Sequence, residues 1–190
     1  KKLRAKHYEY VADPSIPKIF ISELLVNEFS ADFQDIVNSL VTNVSADQVQ
    51  QPNFFHSGRP WKVSTSPYET LLRESDYGAW MAAIGYRPNH FTVFINQLKK
   101  YSDIPTLNDF LKSKGFILNA SGGEIKGNPQ VLLEQSSTLA NRVEVEFTDG
   151  KKEIPSCYFE FAKRYPLASG ELYQGFVATS ADKIVESTNT

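Results

Sequence analysis

The sequence predicts an α+β fold in which a strand–helix–three-strand unit holds the functional site and a group of helices precedes it. Three observations carry this. Residues 86–96 read YRPNHFTVFIN, a β-branched and aromatic run that alternates with a period of two, as a strand does. A short amphipathic stretch follows at 104–115, and then three more strand candidates separated by turn signals. Residues 30–40 and 66–84 instead repeat their apolar positions every three or four residues, so the helices gather ahead of this unit.

Composition narrows the function. The 190 residues are 41% hydrophobic and 22% charged, as in a folded globular chain. The net charge is −2 and Lys and Arg never cluster beyond pairs such as Lys99-Lys100, so no basic field draws nucleic acid. The apolar runs are too short to span a bilayer and no signal peptide is evident. One cysteine, Cys157, excludes an intrachain disulfide and suits a reducing, cytoplasmic setting; on its predicted strand it reads as an inert buried thiol.

In order, residues 16–25 (IPKIFISELL) read as a strand with Ile19, Ile21 and Glu23 on one face. It has no evident neighbour in the chain and looks like the last strand of a module whose earlier part lies upstream of Lys1. Ser30 caps a helix with Phe33, Ile36, Val37 and Leu40 inward. Residues 45–66 hold too many large apolar groups for a linker and read as an ordered loop, with His56 solvated. A second helix opens at Ser66-Pro67, runs past Leu71, Tyr77 and Trp80 to Ile84, and stops at Gly85. Trp61, Tyr77 and Trp80 read as packing residues. In the unit that follows, the 86–96 strand puts Phe91, Val93 and Ile95 on a core face. Thr106 is the expected cap of the 104–115 helix, and Gly115 its end. The remaining strands are 131–136, 142–147 and 154–163, with Thr148-Asp149-Gly150 as a hairpin turn, and 180–187 as a short terminal helix.

The chemistry lies on the first and last strands of this unit. His90 shares a face with Thr92, Phe94 and Asn96; Glu160 shares one with Tyr158 and Ala162, opposite Phe159 and Phe161. An inward imidazole is either a core histidine satisfied by a backbone carbonyl or a metal ligand. An inward carboxylate is either paired with Arg142 or Arg164 or bound to a metal. Together, a histidine and a carboxylate make two-thirds of the facial triad that holds ferrous iron with positions open for substrate and oxygen. Gln135 alternates inward with Leu133 and reads as a contact to substrate or ligand, or as an amide that pairs strands. Glu23 ends the first strand as Glu160 ends the last, which suggests a supporting role at the metal.

Five stretches carry a resemblance: PKIFISELL (17–25), YGAWMAAIGYRPNHFTVFIN (77–96), EQSSTLAN (134–141), CYFEFAKR (157–164) and GFVATSADKIVEST (175–188). They resemble the 2-oxoadipate dioxygenase/decarboxylase family. The βαβββ unit likewise resembles the vicinal oxygen chelate superfamily, whose members pair two such units around one metal. The resemblance implies Fe(II) held by two histidines and a glutamate, and conversion of 2-oxoadipate and O₂ to 2-hydroxyglutarate and CO₂ in lysine degradation. His90 matches the second histidine ligand and Glu160 the glutamate, while Thr179 and Ser180 match a segment that contacts substrate. No residue matches the first histidine or the arginine that holds a substrate carboxylate; His7 and Arg4 lie too close to Ile19. The implied organisation is the end of a truncated first module (1–28), a helical insertion (29–86), a complete βαβββ module (87–165) and a C-terminal substrate-contacting segment (166–190). A glyoxalase-type isomerase or lyase, with Glu23 as a further ligand, and a non-catalytic binding module are the alternatives within the superfamily.

Overall fold

The computed structural model describes residues 3–8, 19–175 and 177. Its contacts divide into two units, Lys1–Gly85 with Phe147–Gly150, and Tyr86–Glu146 with Lys151–Thr190. Among the described residues no helix is long and apolar enough to cross a membrane.

In the first unit, β1 (Leu3–Tyr8) pairs antiparallel with β2 (Ile19–Leu24) along all of its length, from Leu3 opposite Leu24 to Tyr8 opposite Ile19. This corrects the expectation that 16–25 has no neighbour. Helix α1 (Ala31–Val41) starts where the Ser30 hydroxyl accepts from the Phe33 N–H, and it buries Phe33 and Leu40. The 45–66 stretch holds a four-residue helix, α2 (Ala46–Val49), opened by a reciprocal Ser45–Gln48 capping box. His56 is exposed, and Trp61 and Trp80 are core residues.

The helix expected over 66–84 is two helices, α3 (Thr65–Leu72) and α4 (Asp76–Ile84). Ser75 breaks it: its hydroxyl accepts from the Gly78 N–H and starts a new N-terminus, a local bond that competes with helix continuation. The first turn of α3 is held by Asp149, which accepts from both the Thr65 N–H (2.9 Å) and its hydroxyl (2.8 Å). At the other end of α4, Ala82 and Ala83 carbonyls that no further turn can satisfy accept from Trp61 Nε1 (2.9 Å) and Arg59 Nη1 (3.2 Å). The Tyr77 phenol hydrogen-bonds Ser22, and burial pushes its pKa up.

The second unit is a mixed four-stranded sheet in the order β3-β8-β5-β4, where β3 is His90–Phe94, β4 Lys126–Asn128, β5 Leu133–Ser137 and β8 Tyr158–Arg164. The first and last of these strands, β3 and β8, are parallel neighbours, with His90 opposite Tyr158 and Thr92 opposite Glu160. Beyond β3, Asn96 continues the ladder with its side chain, donating to the Arg164 carbonyl and accepting from its N–H. Helix α5 (Ile104–Ser113) lays Ile104, Leu107 and Leu111 against Phe161, Val93, Ile95 and Leu118. Asp103, not Thr106, caps it, accepting from the Thr106 N–H. Phe91 departs from the core face expected of it: it is 56% exposed and lies against the exposed Phe159.

Two further strands, β6 (Arg142–Phe147) and β7 (Gly150–Pro155), form a separate hairpin. The run expected as one strand over 154–163 is therefore the end of β7, a break at Ser156 and Cys157, and β8. Cys157 lies in that break and is exposed, which corrects its reading as a buried thiol. The expected helix over 180–187 lies outside the described residues.

Candidate metal centre

Parallel pairing of β3 with β8 places His90, Thr92, Tyr158 and Glu160 on one sheet face, and antiparallel pairing of β5 adds Ser137 opposite Glu160 and Gln135 opposite Ala162. The other face is occupied by α5. Alternation alone thus brings the imidazole, the carboxylate and the amide to the same side.

Glu160 is 6% exposed, and its hydrogen-bonding neighbours are polar side chains on adjoining strands. Gln135 Nε2 donates to Glu160 Oε1 at 2.7 Å, and Thr92 Oγ1 lies 3.4 Å from the same oxygen. The second carboxylate oxygen, Oε2, stands 3.7 Å from His90 Nε2. The imidazole is seated by stacking on Tyr158, with ring centroids 4.9 Å apart, and its Nδ1 lies 3.2 Å from Asn89 Oδ1. With Nδ1 donating to Asn89 Oδ1, a neutral imidazole turns its Nε2 lone pair toward the carboxylate.

Two lone-pair donors that face one another repel unless a cation lies between them. Donors each about 2.1 Å from one ion stand about 3 Å apart at a right angle and about 4.2 Å apart when opposed, and the observed 3.7 Å falls within that span. The pair therefore fits a divalent metal, and Gln135 and Asn89 orient its two members from behind. Among the described residues no group of three His, Cys, Asp or Glu gathers around one point. Gln135 has a further property: it is 3% exposed and its Oε1 has no hydrogen-bond partner. The amide cannot turn round, since that would set one acceptor against another at Glu160.

Arg164 leaves the same strand two residues beyond Ala162, and its Nη1 donates to the carbonyls of Tyr173 (2.8 Å) and Gly175 (2.9 Å). Burial lowers its pKa, and the charge of Glu160 raises it in part. Glu23, by contrast, is exposed on β2. Thr179 and Ser180 lie outside the described residues. Asn89 and Thr92 were not singled out by the sequence; Thr92 shares His90's face by alternation, whereas nothing local marks Asn89 except its place before the histidine.

The family model for 2-oxoadipate dioxygenase/decarboxylase matches residues 4–188. The chain belongs to that family. As a family member it is 38% identical over 189 residues to the chloroplastic 2-oxoadipate dioxygenase/decarboxylase of Arabidopsis thaliana, covering 91% of this chain and 51% of the relative. It is 39% identical over 191 residues to the chloroplastic/amyloplastic one of Oryza sativa subsp. japonica, covering 92% and 52%. The chain thus spans about half the length of the curated relatives it matches. Among solved structures, it superposes on a Shewanella frigidimarina protein provisionally named a hydrolase with a TM-score of 0.91 and 57% identity, over 94% of this chain and 70% of that one. The Oryza sativa hydroxyglutarate synthase in complex with 2-oxoadipate gives 0.88 and 34%, over 99% and 68%. A Ralstonia eutropha protein of the glyoxalase superfamily shares the fold, with a TM-score of 0.74 at 21% identity over 92% and 61% of the chains.

Proposed function

We propose that this chain carries part of the active site of an Fe(II)-dependent dioxygenase that converts 2-oxoadipate and O₂ to 2-hydroxyglutarate and CO₂. The carrying observation is His90 Nε2 at 3.7 Å from Glu160 Oε2, on adjacent strands of a chain that belongs to the 2-oxoadipate dioxygenase/decarboxylase family. The reaction balances without a further reductant: the carboxylate next to the keto group leaves as CO₂ with its own two oxygens, one atom of O₂ enters the new carboxylate at the former keto carbon, and the other becomes the product hydroxyl. Bound ferrous iron would supply the activation of O₂ and the binding of the 2-oxo acid.

The chain's own residues then have distinct tasks. His90 and Glu160 donate to the metal. Gln135 Nε2 holds Glu160 Oε1, which leaves Oε2 directed at the ion, and Gln135 Oε1 accepts from a ligand that brings a donor, such as water or the product hydroxyl. Thr179 and Ser180 contact substrate in this reading, on the strength of the sequence resemblance. A second histidine and a carboxylate-binding arginine, which the resemblance implies and no residue of this sequence matches, complete the triad and the substrate site in this reading. A single cysteine supports a cytoplasmic setting.

The test is anaerobic loading of the protein, as its gene encodes it, with Fe(II), then oxygen uptake on adding 2-oxoadipate. Equal consumption of O₂ and release of CO₂ is expected. Turnover of a 2-oxo aldehyde adduct without oxygen would favour a glyoxalase-type isomerase instead, and binding of 2-oxoadipate with no oxygen uptake would favour a non-catalytic module.

A further inference from the structure

Beyond β8 the chain doubles back. Pro166 and Leu172 form an antiparallel bridge, the Leu167 N–H donates to the Glu171 carbonyl at 2.7 Å, and the Tyr173 N–H donates to the Tyr165 carbonyl at 3.0 Å. Past this turn the backbone heads opposite to β8, toward the level of Glu160. Both edges of β8 are taken, by β3 and β5, so a chain that continues this way has to pass over a face of the sheet. Arg164 marks which face. By alternation it projects on the same side of β8 as Glu160 and Ala162, and in register it stands opposite Leu133, which shares the side of Gln135 on β5. Its Nη1 donates to the carbonyls of both Tyr173 (2.8 Å) and Gly175 (2.9 Å). One partly buried guanidinium nitrogen thus holds the returning backbone at two points, on the side of the metal-binding pair. That face also has a place for a further donor, since Gln135 Oε1 is buried without a hydrogen-bond partner among the described residues.

We propose that Arg164 is a positioning residue, which delivers the segment after Gly175 to the face of His90 and Glu160 and so sets where Thr179 and Ser180 meet the substrate. This rests on the reading above, in which the substrate lies at that pair and those two residues contact it. The reach agrees. From Arg164 back to Glu160 is about 13 Å at a strand rise of about 3.3 Å per residue. An extended chain leaving Gly175 covers that distance in about four residues, which brings it to Thr179. The charge of Glu160 acts on Arg164 along the same face, offsetting part of what burial does to its pKa. A planar guanidinium suits the task because its donors are fixed in direction once the side chain is seated.

The test compares wild type, Arg164→Gln, the pair Thr179→Ala with Ser180→Ala, and all three changes together, in the protein as its gene encodes it. Without iron or substrate, Arg164→Gln should speed hydrogen exchange in residues 176–188 by about tenfold while β3, β5 and β8 keep their protection. With Fe(II), anaerobically, Arg164→Gln and the alanine pair should each weaken 2-oxoadipate by about tenfold, and the combination should weaken it little further, because both remove the same contact. Iron affinity should be the same in all four proteins. Arg164→Lys keeps a cation that can donate to both carbonyls and should recover most of the binding. Fully additive losses, or iron affinity that falls with Arg164→Gln, would overturn the assignment, since the arginine would then act on substrate or on Glu160 directly. Exchange that rises equally in β8, or not at all in 176–188, would overturn it too. Arg164→Met, which keeps the apolar stem, replaces the glutamine variant if that does not fold, with the same outcomes. The exchange measurement needs neither iron nor 2-oxoadipate, so a wild type that fails to bind 2-oxoadipate would sink the functional reading while the placement of the segment is still decided.

Discussion

A carboxylate can accept in several directions at once, and Glu160 has one oxygen committed to Gln135 at 2.7 Å while the other turns to His90. The amide thus decides which oxygen is left to face the imidazole and any ion that binds there. Gln135→Leu keeps the volume and removes the donor, so iron affinity should fall by about 10–100-fold while the fold persists. An anaerobic iron titration checks this, and unchanged affinity would show that the sheet alone orients Glu160. On the opposite face, Tyr165 donates to Glu134 Oε2 at 2.6 Å. Burial, then the hydrogen bond to Glu134 and its charge, push the phenol pKa up to about 12. A pKa raised above the unfolded value of about 10 adds stability that is whole below about pH 10 and fades as pH climbs toward 12. Glu134→Gln should therefore let Tyr165 ionise earlier, seen as the absorbance difference between this variant and its Tyr165→Phe partner during alkaline titration. No change would assign the shift wholly to burial.

At the scale of elements, the close passage of one loop over the end of α4 depends on a single glycine. Gly85 has φ +79°, and a Cβ there would lie 2.4 Å from Arg59 Cα and from the Gly58 carbonyl. Backbone cannot retreat as a side chain can. Gly78 is a useful contrast, since its added Cβ would overlap only the ring of Phe33, at 2.7 and 3.1 Å, and would be in ordinary contact with Ser75 Cβ at 3.5 Å. Gly85→Ala should cost more than about 2 kcal/mol, combining a left-handed backbone with the overlap, and Gly78→Ala should cost less. Denaturant unfolding of the two variants settles the order, and a larger loss at Gly78 would mean that the loop yields more easily than the aromatic core. The glycine's place as a helix end was legible in the sequence, but its contact with residues 58–59 was not, because that contact joins segments far apart in the chain. The same limit explains other differences. The periodicity of 66–84 hid the break at Ser75, which depends on one hydroxyl finding the Gly78 N–H. The neighbour of 19–24 was missed because 3–8 has charged residues at alternate positions and no apolar face to announce a strand. His90 and Glu160 were legible because period-two alternation fixes a face without knowing the topology. That β3 and β8 are adjacent and parallel was not, since strand order depends on pairings that no local pattern encodes.

For the molecule as a whole, a metal that binds the folded chain and not the unfolded one must raise its stability. His90 and Glu160 come from strands far apart in sequence and meet only when β3 pairs with β8, so an unfolded chain offers no such pair. Free Fe(II) at a hundredfold excess over its dissociation constant should stabilise the fold by about 2.7 kcal/mol, or about 5–10 °C for a chain of this size. The gain should be lost in Glu160→Gln, where a neutral amide replaces the anionic donor, and in His90→Ala. It should also have an address. Both donors lie in the unit formed by Tyr86–Glu146 and Lys151–Thr190, so metal should raise hydrogen-exchange protection in β3, β5 and β8 first. Anaerobic thermal unfolding with and without Fe(II), followed by exchange mapped to peptides, measures both. Protection that rose instead in α1, α3 and α4, or a midpoint shift that survived Glu160→Gln, would mean that the ion binds elsewhere and that the imidazole–carboxylate pair is held by a proton.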